Sequence, residues 1–189
     1  DATEHPPYGT YTTLSEDLWR DRGWMMFSSS GSTGVPRVFR YSQIDREYWA
    51  WANARAMHSF SIRPDDSVLI CSGYGPHVFA WGVQFGLSKM NVATIPGGGM
   101  TGEMRARIVD RFNPTVICGT TSYALHLGRV MEEIGLDPVE SSVRLMLVGG
   151  EPGTGVKNTR DRLQSLWGAT MAEFYGCTEA SPHCGGYSC

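Results

Sequence analysis

The sequence contains no apolar run long enough to cross a bilayer, since no stretch of about 18 apolar residues occurs anywhere in its 189 residues. Its first residues, DATEHPPYGT, contain neither a basic start nor an apolar stretch of the kind that directs secretion. From these absences we expect a cytoplasmic protein that does not contact a membrane.

The sequence also lacks an excess of positive charge. Its formal net charge is -3, with 16 Lys and Arg residues against 19 Asp and Glu residues. Binding to nucleic acid or to an anionic membrane depends on a broad basic surface. We therefore expect no nucleic-acid partner, and any phosphate recognition must be local and directed at a small ligand.

The cysteines do not form the pattern of a disulfide framework. There are five, which cannot all pair with one another. Cys71 and Cys118 lie in apolar runs, where free buried thiols are common. We expect no disulfides. The other three, Cys177, Cys184 and Cys189, lie near the end of the sequence, beside His183.

Five β-rich runs alternate with amphipathic segments, and there is no internal repeat or low-complexity tract. The runs are SVLIC (67–71), VATIP (92–96), TVICG (115–119), VRLMLVGG (143–150) and MAEFYG (171–176). Most are apolar on both faces, as buried parallel strands are. Helical spacing follows Ser42 and Thr101 and recurs over 125–134 and 163–167.

This alternation predicts an α/β fold: a doubly wound, mainly parallel sheet with helices on both faces. We divide the chain into an extended, proline-bearing N-terminal segment, 1–26, and an α/β nucleotide-binding core, 27–189. In such sheets, ligands bind beyond the carboxyl ends of the strands. Those ends are therefore where we expect functional residues.

Three stretches have the composition of a nucleotide site. FSSSGSTGVPRVFRYS (27–42) combines hydroxyls and glycines that can wrap donors around a phosphate, although a polar surface turn is the alternative. GGEPGTG (149–155) and YGCTEASPH (175–183) follow two of the predicted strands, and each carries a carboxylate, Glu151 or Glu179. Glycines for close backbone approach, the Tyr175 ring and a carboxylate for a hard cation are what a nucleotide with Mg²⁺ requires.

The motifs SSSGSTGVPR, GGEP and YGCTEA, in this order, resemble those of the adenylate-forming (AMP-binding) superfamily. The stretches YGPHVFAWGVQFG, PTVICGTTSYAL and EEIGLDP are similar to those of phenylacetate–CoA ligases. The resemblance covers nearly the whole chain. It is not a likeness to P-loop NTPases, because no GK[ST] follows the glycines.

The resemblance implies an ATP-dependent acid–CoA ligase. Such an enzyme activates a carboxylic acid, here aryl or arylacetic, as an acyl-adenylate and transfers the acyl group to coenzyme A, with ATP and Mg²⁺ bound during activation. The acid attacks the α-phosphorus directly, so catalysis depends on positioning and charge neutralisation. We therefore expect no nucleophilic side chain.

The resemblance also implies a role for individual residues. The loop that closes over the ATP phosphates would contain Ser29, Ser30, Gly31, Ser32, Thr33 and Gly34, followed by Arg37 where the family commonly has Lys. The adenine site would contain Gly149, Gly150, Glu151, Pro152, Tyr175 and Gly176. The catalytic pair would be Thr178, which touches the α-phosphate, and Glu179, which holds Mg²⁺.

Tyr74, Phe79 and Tyr123 are candidates for the substrate pocket, and core packing is the alternative for each. Thr121 stands nearby, where the family often has Pro. This departure leaves the identity of the acid open.

A zinc site is a separate hypothesis. A thiolate and an imidazole form a ligand pair that Zn²⁺ favours, and Cys177 and His183 resemble a pair that holds structural zinc in some phenylacetate–CoA ligase-like proteins. Free thiols are the alternative.

In the family, a ribose-binding Asp, a hinge and a mobile C-terminal domain with a catalytic Lys follow the YGxTE motif, whereas this sequence ends ten residues after Glu179. We therefore expect a fragment that is weakly active or inactive alone. Three functions stay open: an acid–CoA ligase, an adenylation domain that loads a carrier protein, and a non-catalytic nucleotide-binding remnant. A homodimer is also left open.

Overall fold

The computed structural model describes residues 4–10, 12, 14–29, 36–179 and 186–188. The elements in chain order are α1 (Glu16–Arg22), β1 (Gly23–Ser28), β2 (Val38–Ser42), α2 (Gln43–Ser59), β3 (Ser67–Ile70), α3 (Val78–Lys89), β4 (Ala93–Pro96), α4 (Gly102–Phe112), β5 (Val116–Gly119), α5 (Thr121–Glu133), β6 (Leu145–Gly149), α6 (Lys157–Trp167), β7 (Thr170–Tyr175) and β8 (Gly186–Tyr187). A 3-10 helix, Pro138–Glu140, precedes β6.

Among the described residues, the main sheet has six strands in the order β4-β3-β5-β6-β7-β8. The first five are parallel, and β8 is antiparallel to β7. Because β4 and β5 lie on opposite sides of β3, the chain reverses its direction across the sheet at β3, which is the topological switch point of a doubly wound fold. The five predicted strand runs are β3 to β7, so the predicted α/β fold is confirmed.

Helices cover both faces of the sheet, which explains the continuous apolar runs. Neighbouring strand residues point to opposite faces, so Val68 and Ile70 pack with α2 and α3, whereas Leu69 packs with α4, α5 and α6. We call these two buried groups the first and second core clusters. Cys118 belongs to the first cluster and Cys71 to the second, and both are free thiols. Burial raises the pKa of the Cys71 thiol to about 12.

Two predicted helix starts are confirmed. Ser42 caps α2, and Asp45 completes a capping box with it. Thr101 caps α4 through a hydrogen bond from the Met104 N–H. Within the part of the chain that the structure describes, no helix is both long enough and apolar enough to span a bilayer.

The N-terminal region differs from the sequence-based expectation. The segment expected to be extended contains α1, which Ser15 caps, and the expected boundary between residues 26 and 27 falls inside β1. Strand β1 pairs antiparallel with β2, so the stretch rich in Ser and Gly joins two strands of a hairpin. Phe27 and Tyr41 of this hairpin pack on Trp49 of α2 in a third buried cluster.

Asp66 joins the amino ends of three neighbouring strands. Its carboxylate accepts hydrogen bonds from the Thr115 hydroxyl (2.6 Å) and from Arg144 Nε (3.0 Å). The Arg63 N–H also donates to it at 2.9 Å. Burial alone would raise the pKa of Asp66, but these donors hold that pKa below its usual value. The network lies at the edge of the sheet opposite the carboxyl ends of the strands.

We predict that Asp66→Asn lowers the free energy of unfolding by about 1–3 kcal/mol at pH 7, because it removes an ionised acceptor from three donors. A lowered native pKa means that the unfolded state binds the proton first, so this contribution is present at neutral pH and is lost as the pH falls below about 4. Urea unfolding at pH 7 and pH 3 tests this prediction. The variant should lose less stability than the wild type between the two pH values, and the exposed neighbour Asp65→Asn serves as the control. Equal acid sensitivity of wild type and Asp66→Asn would contradict the assignment.

Candidate nucleotide-binding site

The loops that follow β6 and β7 meet at one cavity of about 410 Å³. The described residues that line it are Gly150, Glu151, Pro152, Glu173, Phe174, Tyr175 and Gly176. Five of the six predicted adenine-site residues are therefore brought together. The sixth, Gly149, ends β6 beside them, and a Cβ there would lie 3.0 Å from both the Phe174 carbonyl oxygen and the Phe79 ring.

Tyr175 lines this cavity on the side that faces solvent. Consecutive residues of a strand point to opposite faces, and Phe174 is buried in the first core cluster. Tyr175 therefore points away from that cluster and is 70% exposed. An exposed aromatic ring at the end of a buried strand leaves a flat surface on which a base can stack.

Glu151 fastens the loop after β6 to helix α5. The chain turns at Gly150, whose φ of +86° lies in the left-handed region that favours glycine. The Glu151 carboxylate then accepts a hydrogen bond from the Ser122 N–H in the first turn of α5. Hydrogen bonds from Ser122 hold the pKa of Glu151 below its usual value. The carboxylate of Glu151 therefore holds this loop in place.

Glu173 fastens the same loop from the side of β7. Its carboxylate accepts hydrogen bonds from the Gly153 N–H (3.2 Å) and the Thr154 N–H (2.8 Å), as well as from the Thr154 hydroxyl. Sequence reasoning missed Glu173. The available signal was its position two residues before Tyr175, which places both side chains on one face of β7.

The hairpin carries the predicted phosphate loop. At its open end the Ser29 N–H donates to the Arg37 carbonyl, and the Arg37 N–H donates to the Ser29 hydroxyl oxygen, each at 3.0 Å. The Ser28 N–H donates to the Pro76 carbonyl at 2.8 Å, which ties the hairpin to the segment after β3. Ser30, Gly31, Ser32, Thr33 and Gly34 lie outside the described residues.

Thr178 and Glu179 follow β7 and lie against the hairpin. The Tyr41 hydroxyl donates to the Thr178 carbonyl at 2.7 Å. Glu179 is exposed and lines a second cavity, of about 320 Å³, together with Tyr41 and Asp45. Burial, and then the nearby Asp45 and Glu179 carboxylates, raise the pKa of Tyr41 above its usual value. A tyrosine hydroxyl is protonated at neutral pH, so it can donate this hydrogen bond.

Of the three candidates for the substrate pocket, Tyr74 and Phe79 pack against the first core cluster, whereas Tyr123 packs against the second. Phe79 lines a cavity of about 130 Å³ with Val78, Asn53 and Phe174. Tyr74 packs against the first core cluster, and its hydroxyl donates to Gln84 at 3.0 Å. Tyr123 packs against the second cluster, on the other face of the sheet, below the Arg105 guanidinium. Tyr74 and Tyr123 are not among the described residues that line the cavity.

A sequence model described as AMP-binding enzyme matches residues 12–189. The chain belongs to the AMP-binding enzyme family.

Relatives of this AMP-binding chain include two named phenylacetate–coenzyme A ligases. That of Pseudomonas putida is 31% identical over 179 residues, which are 95% of this chain and 39% of the relative. That of Escherichia coli K12 is 30% identical over 180 residues, which are 95% of this chain and 40% of the relative. The chain thus spans less than half the length of the curated relatives that it matches.

Among solved structures, 2-hydroxyisobutyryl-CoA ligase in complex with 2-HIB-AMP and CoA superposes with a TM-score of 0.90 at 27% identity, over 99% of this chain and 39% of that one. The N-terminal domain of FACL13 from Mycobacterium tuberculosis superposes with a TM-score of 0.68 at 18% identity, over 83% of this chain and 37% of that one, which shows a shared fold.

The zinc hypothesis for this AMP-binding chain stays a prediction. Cys177 is an exposed free thiol, whereas His183, Cys184 and Cys189 lie outside the described residues. Within the described ranges, no group of three or more His, Cys, Asp or Glu side chains could hold a metal ion.

We predict that Glu173→Ala lowers the free energy of unfolding by about 1–3 kcal/mol, because the Gly153 and Thr154 N–H groups lose their acceptor. Hydrogen exchange at the amides of residues 150–156 should become faster. Denaturant unfolding and hydrogen-exchange mass spectrometry measure the two effects. The exposed Glu133→Ala, which accepts no hydrogen bond from this loop, should change stability by no more than about 0.5 kcal/mol. Unchanged exchange over 150–156 in Glu173→Ala would show that the loop does not depend on Glu173.

Proposed function

We propose that this chain is the nucleotide-binding part of an ATP-dependent acid–CoA ligase. The observation that carries the proposal is the cavity shared by the loops after β6 and β7, where a glycine turn faces an exposed tyrosine at the carboxyl edge of a parallel sheet. Relatives and structural neighbours named as acid–CoA ligases support this reaction class.

The adenine of ATP would occupy this cavity of about 410 Å³, which is within the size range of small-molecule sites. Tyr175 offers its exposed ring for stacking, and the turn at Gly150 lets the base approach the backbone closely. Glu151 and Glu173 hold the loop in this shape before a ligand binds. A site formed in advance loses less ordering entropy when it binds.

The phosphates would lie between the hairpin loop and residues 178–179. Ser29 and Arg37, which flank this loop in sequence, are joined by hydrogen bonds, and the Arg37 side chain is exposed. Mg²⁺ is usually held by one or two carboxylates together with phosphate oxygens, so the single exposed carboxylate of Glu179 fits this ion. When bound, Mg²⁺ would neutralise phosphate charge.

The acid would bind in the smaller cavity beside Phe79. This cavity shares Gly150, Phe174, Tyr175 and Gly176 with the adenine cavity, so a bound acid lies next to the nucleotide. Its volume of about 130 Å³ is close to that of a cavity of about 150 Å³ that binds benzene. We therefore propose a compact acid with at most one aromatic ring, which includes aryl and arylacetic acids.

In this arrangement the chain's own residues act by positioning. The acid carboxylate oxygen forms a bond to the α-phosphorus while the bond to pyrophosphate breaks, and the thiol of coenzyme A then displaces AMP from the acyl group. Thr178 lines the proposed acid cavity and would contact the α-phosphate. No side chain is required as a nucleophile.

The test of this function combines binding with turnover. Isothermal titration should show that the 189-residue chain binds ATP in the presence of Mg²⁺. The protein that contains this chain should catalyse acid-dependent exchange of pyrophosphate into ATP. We predict that Glu179→Gln weakens MgATP binding and slows exchange at least about tenfold, equivalent to ~1.4 kcal/mol, with little change in melting temperature.

The exposed Glu132→Gln is the matched control and should behave as wild type. Absence of both ATP binding and exchange in the wild type would reject the proposed function. Normal exchange by Glu179→Gln at ordinary Mg²⁺ concentrations would reject the role of Glu179 alone.

We further predict that Phe79→Val admits acids with two fused rings. The smaller side chain removes part of the wall of the acid cavity. The ratio of kcat/KM for naphthylacetate to that for phenylacetate should rise about tenfold or more, since even one extra or missing methylene group is worth about 1–3 kcal/mol in an apolar pocket. The exposed Phe112→Val should leave the ratio unchanged. An unchanged ratio in Phe79→Val would place the acid elsewhere.

A further inference from the structure

Tyr41 joins two parts of the candidate site that are far apart in sequence. Its hydroxyl donates to the Thr178 carbonyl at 2.7 Å, across 137 residues. Within the described part of the chain, no other hydrogen bond reaches residues 176–179. We propose that Tyr41 is a positioning residue that fixes the loop carrying Thr178 and Glu179. This proposal rests on the proposed function, because it concerns the same nucleotide site.

The Tyr41 ring is held firmly enough to act in this way. It is 4% exposed and stacks on Trp49, with ring centres 5.8 Å apart and an angle of 20° between the planes. Phe27 packs edge-on against it at 5.5 Å. Contacts of this kind add to the stabilisation that burial alone gives an aromatic side chain. The hydroxyl therefore occupies a defined position.

The backbone of Tyr41 is held as well. Tyr41 pairs with Met25 across the hairpin, and the next residue, Ser42, is the cap of α2. The hairpin whose open end carries the predicted phosphate loop thus also holds the loop that carries the predicted Mg²⁺ ligand. One rigid unit would set the separation between the phosphates and the Glu179 carboxylate. Misplacement by about 1 Å is enough to impair catalysis strongly.

The contact also explains why a tyrosine stands at this buried position. Phenylalanine would make the same ring contacts with Phe27 and Trp49, so packing alone does not call for the hydroxyl. The hydroxyl matters because it gives the Thr178 carbonyl a donor where strand pairing has ended. Tyr41→Phe removes that donor and keeps the ring.

The experiment compares wild type, Tyr41→Phe and Tyr48→Phe in the 189-residue chain. Tyr48 lies on α2 with 61% of its surface exposed and is the matched control. Hydrogen-exchange mass spectrometry without nucleotide measures the amides of residues 176–179. Isothermal titration measures the affinity for ATP, with Mg²⁺ and with EDTA.

In Tyr41→Phe we expect faster exchange over residues 176–179 and a threefold to tenfold weaker affinity for MgATP, roughly what one hydrogen bond contributes. The affinity for ATP in EDTA should fall less than the affinity for MgATP, because the contact proposed for Glu179 acts through the metal, whereas the contact proposed for Thr178 does not. Tyr48→Phe should match the wild type in all three measurements.

Two results would overturn the proposal while the wild type still binds ATP. The first is an unchanged affinity for MgATP in Tyr41→Phe. The second is an equal loss of affinity with Mg²⁺ and with EDTA, together with a lower melting temperature, which is the result expected if Tyr41 only stabilises the fold. A wild type that binds no ATP at all would instead reject the proposed function on which this role depends.

Discussion

The parallel pairing of β6 with β7 is the constraint on which the candidate site depends. Gly149 pairs with Phe174, so the two strands end side by side and their loops leave the sheet at one place. A shift of one residue would exchange the faces of Phe174 and Tyr175. It would bury the exposed ring of Tyr175 and expose an apolar side chain of the first core cluster. The burial of Phe174 therefore fixes where Tyr175 is presented.

The same strand register limits the size of the side chain at position 149. A Cβ at this position would lie 3.0 Å from both the Phe174 carbonyl oxygen and the Phe79 ring, closer than ordinary van der Waals contact. Phe79 comes from α3, so the close approach of α3 to the end of β6 depends on glycine here. This approach also brings Phe79 to the wall of the small cavity. The contact between Gly149 and Phe79 thus connects the packing of α3 on the sheet with the wall of the proposed acid pocket.

The sheet could be predicted from sequence because its strands are buried on both faces, and such strands read as short apolar runs bounded by turns. Helix α3 could not be predicted, because its sequence, VFAWGVQFGLSK, is mostly apolar and buried along much of its length. It therefore lacks the alternation of apolar and polar faces by which an amphipathic helix is recognised. The β1–β2 hairpin could not be predicted from the sequence of either strand. The pairing of GWMMFS with VFRYS is a contact between two separate segments, and neither segment indicates it by its own sequence.

Some residues of the candidate site could likewise be predicted from sequence motifs, and others could not. The motifs indicated which loops meet, because the carboxyl ends of parallel strands share one edge of the sheet. They did not indicate that Tyr74 and Tyr123 face opposite core clusters, since both follow strand ends at similar spacing. Tyr41 and Glu173 carry no motif of their own. Their contacts with Thr178 and with residues 153–154 depend on the arrangement of the whole sheet.

The three carboxylates near the ends of β6 and β7 differ in what they contact. Glu151 and Glu173 each accept hydrogen bonds from backbone N–H groups, so their charge is already compensated within the protein. No described donor reaches the carboxylate of Glu179, which lies exposed at the end of a loop that Tyr41 holds by its backbone. A hard cation gains most from an oxygen ligand that other donors have not satisfied. Among these three carboxylates Glu179 is therefore the one that we propose as the Mg²⁺ ligand, whereas the other two hold the loop that lines the proposed nucleotide cavity.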